Sequence, residues 1–94
     1  MIFTEFADIL RNLSLVTRVR FKDHVGLRFS VLRTFEGWVL VDNTGSINFR
    51  FTEFDMDPSD RGIVNLRFWF GRSTEDGHHI GALRIDDIEE VDFI

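Results

Sequence analysis

The 94-residue sequence predicts a mainly β domain, a small antiparallel barrel preceded by one amphipathic helix. Apolar residues recur at a spacing near 3.6 only within residues 1–14, which is typical of a helix packed on one side. From residue 15 onward they alternate with polar residues in about six or seven short runs, separated by turn-forming residues. No connection between these runs is long enough for the helical crossover of a parallel sheet, so the strands are expected to be antiparallel.

Residues 1–14 are expected to form the helix, with Thr4 as the N-cap and with Asn12 or Ser14 at the end. The residues that share its apolar face are Ile2, Phe6, Ile9, Leu10 and Leu13. A helix this short needs packing against the rest of the domain to be stable.

Residues 15–94 are expected to form the barrel. In the first strand, over residues 15–22, one face is apolar and the other is basic. Segments 55–62 and 71–79 are expected to be loops, the first of which contains the single proline. The later strands are expected at residues 27–31, 38–41, 47–52, 63–70, 80–85 and 89–93.

The last fifteen residues, IGALRIDDIEEVDFI, indicate a strand, one tight turn and a closing strand. Together with a helix ahead of a strongly bent sheet, this order of elements resembles SH3-like and Sm-like small barrels. The resemblance is one of layout and carries no motif. The length of the chain predicts a single domain over residues 1–94.

Composition excludes several classes of site. The absence of cysteine excludes disulfides, thiolate metal sites and cysteine nucleophiles. No apolar run approaches the ~18 residues of a membrane span, and no secretory signal is visible at the N-terminus. The catalytic and phosphate-binding motifs G-x-S-x-G, G-x-G-x-x-G and H-E-x-x-H are missing from the sequence. We therefore expect a cytoplasmic domain without membrane association, enzymatic activity or cofactor.

The net charge of −5 is unevenly distributed along the chain. Residues 11–50 carry +4, whereas residues 51–94 carry −7. Such a division predicts complementary basic and acidic surfaces, which can pair within one fold or between subunits. In the acidic segment 86–92, apolar residues are interleaved with carboxylates, so we expect it to pack and to present an outward row able to meet a basic partner.

The basic face of the first strand is the leading candidate for a binding surface, extended by arginines of the second and fourth strands. The candidate binding residues are Arg18, Arg20, Lys22, Arg28 and Arg50, with Trp38 and Trp69 as anchors unless these two are buried in the core. We predict a non-catalytic interaction module that binds a protein partner or a second copy of itself. The alternative is a nucleic-acid-binding barrel that uses the same arginines, which the overall acidity disfavours.

Two further groups suggest metal ligands but lack the required pattern. An EF-hand starting at Asp55 would need glycine at its sixth position and glutamate at its twelfth, where the chain has Asp60 and Leu66. His78 and His79 are adjacent in sequence, and no third ligand lies at a typical spacing. Solvated loops are expected at both places, and no metal.

Overall fold

The computed structural model describes the backbone of residues 1–26, 28–69 and 77–94, and their side chains except those of residues 28, 48, 49, 69 and 77–80. The elements within these residues are α1 (Phe3–Asn12), β1 (Arg18–Asp23), β2 (Arg28–Arg33), β3 (Trp38–Val41), β4 (Ile47–Phe51), β5 (Glu53–Met56), β6 (Ile63–Trp69), β7 (Gly77–Arg84) and β8 (Ile88–Phe93). No helix in this part of the chain is long and apolar enough to cross a bilayer.

The strands form two antiparallel sheets, a five-stranded sheet in the order β4-β3-β2-β1-β8 and a three-stranded sheet in the order β5-β6-β7. The chain passes from one sheet to the other at two corners. At the first corner the Thr52 N–H donates to the Arg67 carbonyl over 2.8 Å. At the second, the tight turn between β7 and β8 is closed by a 3.1 Å bond from the Ile88 N–H to the Ile85 carbonyl.

The mainly β class, the antiparallel pairing and the N-terminal helix are confirmed. The predicted barrel is wrong for the described residues, because their strands belong to two separate sheets that do not close on each other. Among the described residues no strand ladder joins the edge strands β4 and β8 of the larger sheet to the edge strands β5 and β7 of the smaller one, and without such ladders the sheets stay open.

Helix α1 packs on the inner face of the five-stranded sheet and contributes Phe6 and Leu10, both fully buried, to the core. The Phe6 ring lies 5.3 Å from that of Phe21 in β1 and 6.0 Å from that of Phe54 in β5. One helical side chain therefore contacts both sheets. Burial of each such side chain contributes about 1.5–3 kcal/mol to folding.

The start of the chain differs from the prediction at two points. The N-cap of α1 is Ile2, with no side-chain cap, so Thr4 lies inside the helix instead of capping it. The first strand begins at Arg18 rather than at residue 15, because Leu15 and Val16 form a turn in which Val16 adopts a φ of 56°. The Thr17 N–H closes this turn on the Ser14 carbonyl over 3.1 Å.

The acidic segment 53–60 contains a strand that the sequence did not predict. Residues 53–56 form β5, in which Phe54 is buried in the core and Asp55 pairs with Arg67 of β6 at 3.0 Å. The predicted loop is therefore shorter and covers residues 57–62. Strand β3 has the predicted bounds and is buried throughout. Of the predicted loop 71–79, residues 71–76 lie outside the described residues, while Gly77 already belongs to β7.

Asp57 organises the loop between β5 and β6. Its Oδ1 accepts hydrogen bonds from the Ser59 hydroxyl at 2.6 Å and from the Ser59 N–H at 2.8 Å, and its Oδ2 accepts one from Asn65 at 3.1 Å. These bonds, led by the Ser59 hydroxyl, lower the pKa of the Asp57 carboxyl from 3.8 to about 2. The folded state therefore binds its proton at a lower pH than the unfolded chain does.

The lowered pKa of Asp57 gives the free energy of unfolding a pH dependence with a defined sign. The stabilising contribution of the Asp57 carboxylate is complete above its pKa in the unfolded chain, about 4. It is lost as the pH falls towards its pKa in the folded state. We expect Asp57→Asn to flatten the curve of unfolding free energy against pH between these two values, measured by urea denaturation. Ser59→Ala should flatten it partly. Parallel curves for Asp57→Asn and the wild type would contradict this assignment.

Candidate functional site

The candidate site is the face of the five-stranded sheet opposite helix α1, called here the outer face. Directly paired residues of neighbouring antiparallel strands project to the same side of a sheet. The register therefore places Arg18, Leu32, Val39 and Arg50 in one row across β1, β2, β3 and β4. The residues that alternate with this row, such as Val19, Val31 and Trp38, belong to the core beneath.

The row combines an apolar centre with a cation at each end. Arg18 and Arg50 are separated by three strand spacings, roughly 14 Å. Both are exposed, and neither forms an ion pair within the described part of the chain. Leu32 between them is half-buried, and Val39 is only 7% exposed. We name this arrangement the Arg18–Arg50 row.

The rest of the predicted basic face is partly neutralised by β8. Arg20 pairs with Asp92 and Lys22 with Glu90, each at 3.2 Å and each across the β1–β8 pairing. Such exposed pairs contribute about 0–1 kcal/mol to stability. Their main effect is to neutralise two positive charges of this surface. Among the described side chains of the predicted basic face, Arg18 and Arg50 remain without an ion pair. The side chain of Arg28 lies outside the described residues.

A cavity of about 290 Å³, the hairpin cavity, opens where the outer face meets the hairpin between β2 and β3. Residues of the hairpin and of the sheet line it together, among them Phe35, Glu36, Trp38, Val39, Arg50, Phe51 and Phe68. Phe35 is 90% exposed, the highest value among the exposed large hydrophobic side chains in the described part of the chain. The sequence places Phe35 between the predicted strands 27–31 and 38–41, and an apolar aromatic residue in such a connection was the signal of a contact site.

A second, smaller cavity of about 150 Å³ lies on the outer face between Arg18, Arg20 and the turn that joins β3 to β4. Asp42 of this turn accepts bonds from the Thr44 hydroxyl at 2.7 Å and from the Ser46 N–H at 3.0 Å. The Thr44 hydroxyl is the main cause of the lowered pKa of the Asp42 carboxyl. The carboxylate beside the two arginines is thus held by its own turn.

Trp38, one of the two candidate anchors, is largely buried in the core, and what remains accessible of it lines the hairpin cavity. It is 8% exposed, and its indole N–H donates to the Leu10 carbonyl at the end of α1 over 2.9 Å. Its ring stacks on Phe51 at 5.5 Å, and the Arg33 guanidinium lies 4.3 Å from the ring centre. Of the two alternatives that the sequence left open for Trp38, burial in the core is therefore correct. The side chain of Trp69 lies outside the described residues.

Neither candidate metal group gains support. The carboxylates of Asp57 and Asp60 accept bonds from N–H groups of their own loop, and Asp60 also pairs with Arg84 at 3.1 Å. Across residues 1–26, 28–69 and 77–94 no group of three or more metal-ligating side chains comes together. The side chains of His78 and His79 lie outside the description.

Comparison of the chain with known protein families, with curated proteins and with solved structures gives no match. A function for the outer face is therefore inferred from the geometry and charge of that face alone.

Proposed function

We propose that this domain is a non-catalytic interaction module that binds an acidic protein segment, from another protein or from a second copy, on its outer face. The observation that carries the proposal is the Arg18–Arg50 row, in which two cations with no ion pair among the described residues flank the half-buried Leu32 and the largely buried Val39. A segment with a carboxylate at each end and apolar side chains between them complements this row in both charge and polarity.

A protein partner is favoured over nucleic acid by the ion pairs of β8. Nucleic-acid affinity grows with the number of phosphates that basic side chains neutralise. Arg20 and Lys22, which would supply two of these contacts, are already paired with Asp92 and Glu90.

The helix ahead of the sheet, the corner at Thr52 and the tight turn before β8 support an SH3-like or Sm-like layout opened into two sheets. We place this module in the cytoplasm.

Reversing the two unpaired cations tests the proposal. Tagged wild-type protein and an Arg18→Glu/Arg50→Glu variant are used as baits in host lysate, with and without nuclease. We expect the variant to retain about tenfold less of the bound protein, because two attractive contacts become repulsive, a change worth at least 1.4 kcal/mol. Nuclease is expected to leave the wild-type result unchanged.

Arg61→Glu is the matched control, since Arg61 is exposed in the loop between β5 and β6, away from the outer face. Each single variant, Arg18→Glu or Arg50→Glu, is compared with it, and circular dichroism checks that all variants fold. Equal retention by the outer-face variants and by Arg61→Glu would reject the outer face as the binding surface. Loss of the captured material after nuclease would favour the nucleic-acid alternative.

A further inference from the structure

We infer that the hairpin cavity receives Phe35 from a second copy of this chain, so that two copies form a symmetric dimer in which each inserts its β2–β3 hairpin tip into the other. The inference rests on the proposed function, because it names a second copy as a partner and uses Arg50. It adds an apolar anchor that the charged row does not contain.

The hairpin tip has the properties of an anchor. The Thr34 N–H donates to the Gly37 carbonyl at 2.8 Å, and the Gly37 N–H donates to the Thr34 hydroxyl at 3.2 Å, so the turn is held by two bonds. This rigid turn presents Phe35 to solvent with 90% of its surface exposed. Val16, 84% exposed, lies beside the hairpin because its N–H donates to the Arg33 carbonyl at 3.1 Å. Neighbouring exposed apolar side chains of this kind mark interaction surfaces.

The cavity is large enough for a phenyl ring. An apolar cavity of about 150 Å³ holds benzene, and the hairpin cavity has about 290 Å³. Val39, Phe51 and Phe68 among its lining residues are apolar. Because Phe35 itself lines the cavity, the anchor and its receptor belong to one surface patch. A two-fold axis through such a patch lets each copy fill the cavity of the other.

The charges around the cavity are complementary in the same arrangement. Glu36 follows Phe35 at the tip, and Glu36 and Arg50 both line the cavity. Both side chains are exposed, and neither has an ion-pair partner in the portion of the chain that the structure covers. When Phe35 enters the cavity of a second copy, Glu36 is carried towards Arg50 of that copy, and symmetry forms the contact twice. Anchor, cavity and both charges thus come from one chain, which is the reason for assigning a second copy as the occupant.

Sedimentation equilibrium over a broad concentration series tests the dimer. We expect the wild type to show a concentration-dependent approach to the dimer mass, and Phe35→Ser to raise the dimer dissociation constant at least about tenfold. Val25→Ser is the matched control, because Val25 is 68% exposed in the turn between β1 and β2 at the opposite end of the sheet. It should dimerise like the wild type.

A charge exchange tests the pairing across the two-fold axis. Glu36→Arg and Arg50→Glu are each expected to weaken the dimer, whereas the double variant Glu36→Arg/Arg50→Glu restores it. A wild type that stays monomeric at all concentrations, an unchanged dimer in Phe35→Ser, or a double variant no better than the singles would each overturn the inference.

Arg18 separates failure of this inference from failure of the proposed function, since Arg18 does not line the hairpin cavity. A monomeric wild type that still loses its lysate partner through Arg18→Glu overturns the dimer and leaves the outer-face proposal standing. A dimer that depends on Phe35, combined with lysate binding indifferent to Arg18 and Arg50, supports the dimer and rejects the wider role of the row.

Discussion

Trp38→Ala is expected to lower the free energy of unfolding by about 3–5 kcal/mol, the cost of truncating a large buried aromatic side chain. Four contacts are lost together: the stack on Phe51, the edge contact with Phe54, the Arg33 guanidinium above the ring, and the indole hydrogen bond to the Leu10 carbonyl. The last of these joins the end of helix α1 to the sheet. Since small domains have about 5–15 kcal/mol of stability in total, the variant should be close to unfolding.

Urea denaturation followed by far-ultraviolet circular dichroism measures this loss, and two variants separate its causes. Trp38→Phe keeps a ring but removes the indole donor, leaving the Leu10 carbonyl without that bond, and is expected to cost about 1–3 kcal/mol. Phe35→Ala removes an aromatic ring that is 90% exposed, and at a protein concentration far below the dimer dissociation constant it should change the free energy by less than about 0.5 kcal/mol. Comparable losses for Phe35→Ala and Trp38→Ala would contradict the placement of Trp38 in the core.

Gly37→Ala is expected to destabilise the domain by about 3 kcal/mol, at the upper end of the range for overpacking. A β-carbon at residue 37 would meet the Phe51 carbonyl oxygen inside van der Waals contact and would lie 2.9 Å from the Thr52 Cα. Both neighbours are backbone atoms of the segment that forms the corner at Thr52, so neither can relieve the clash by a change of rotamer, as a side chain could. The chain must shift at the corner or at the hairpin.

Gly45→Ala is the control for the effect of backbone conformation alone. Gly45 has a φ of 87° and no atom within 4 Å of the β-carbon position, so alanine there meets only the left-handed backbone penalty of about 1–2 kcal/mol. The difference between the two variants in chemical denaturation measures the steric conflict at residue 37. A loss in Gly37→Ala no larger than in Gly45→Ala would show that the hairpin and β4 separate at little cost.

Local patterns sufficed for much of the fold. The 3.6-residue spacing around Phe6 and Leu10 identified the helix, and the apolar run Trp38–Val41 identified a buried strand with its observed bounds. Strand β5 was missed because Glu53 and Asp55 alternate with Phe54, and the carboxylates were given more weight than the period of two. Its pairing with β6, which places Asp55 opposite Asn65 and beside Arg67, depends on residues distant in sequence.

For the candidate site, too, the sequence predicted the features that depend on neighbouring residues and missed those that depend on residues far apart in the chain. The alternation from Arg18 to Lys22 predicted that these side chains share a face, but not that Asp92 and Glu90 would neutralise two of them. That result requires β8 to pair with β1. Likewise, no local pattern indicates that the indole of Trp38 meets the Leu10 carbonyl, which lies 28 positions earlier. The exposure of Phe35 at a hairpin tip also depends on how the whole domain folds, so no local pattern predicts it.

The pairing of β1 with β8 has a consequence for folding kinetics. Arg20 and Asp92, neighbours in the sheet, are 72 positions apart in the chain, so their strands meet only after a long loop has closed. Helix α1 forms from local contacts, whereas this closure costs entropy before any pairing compensates for it. Domains dominated by contacts of such high sequence separation fold in about milliseconds to seconds, compared with microseconds to milliseconds for helical bundles. We therefore expect the pairing of β8 with β1 to be among the slow steps in the folding of this domain.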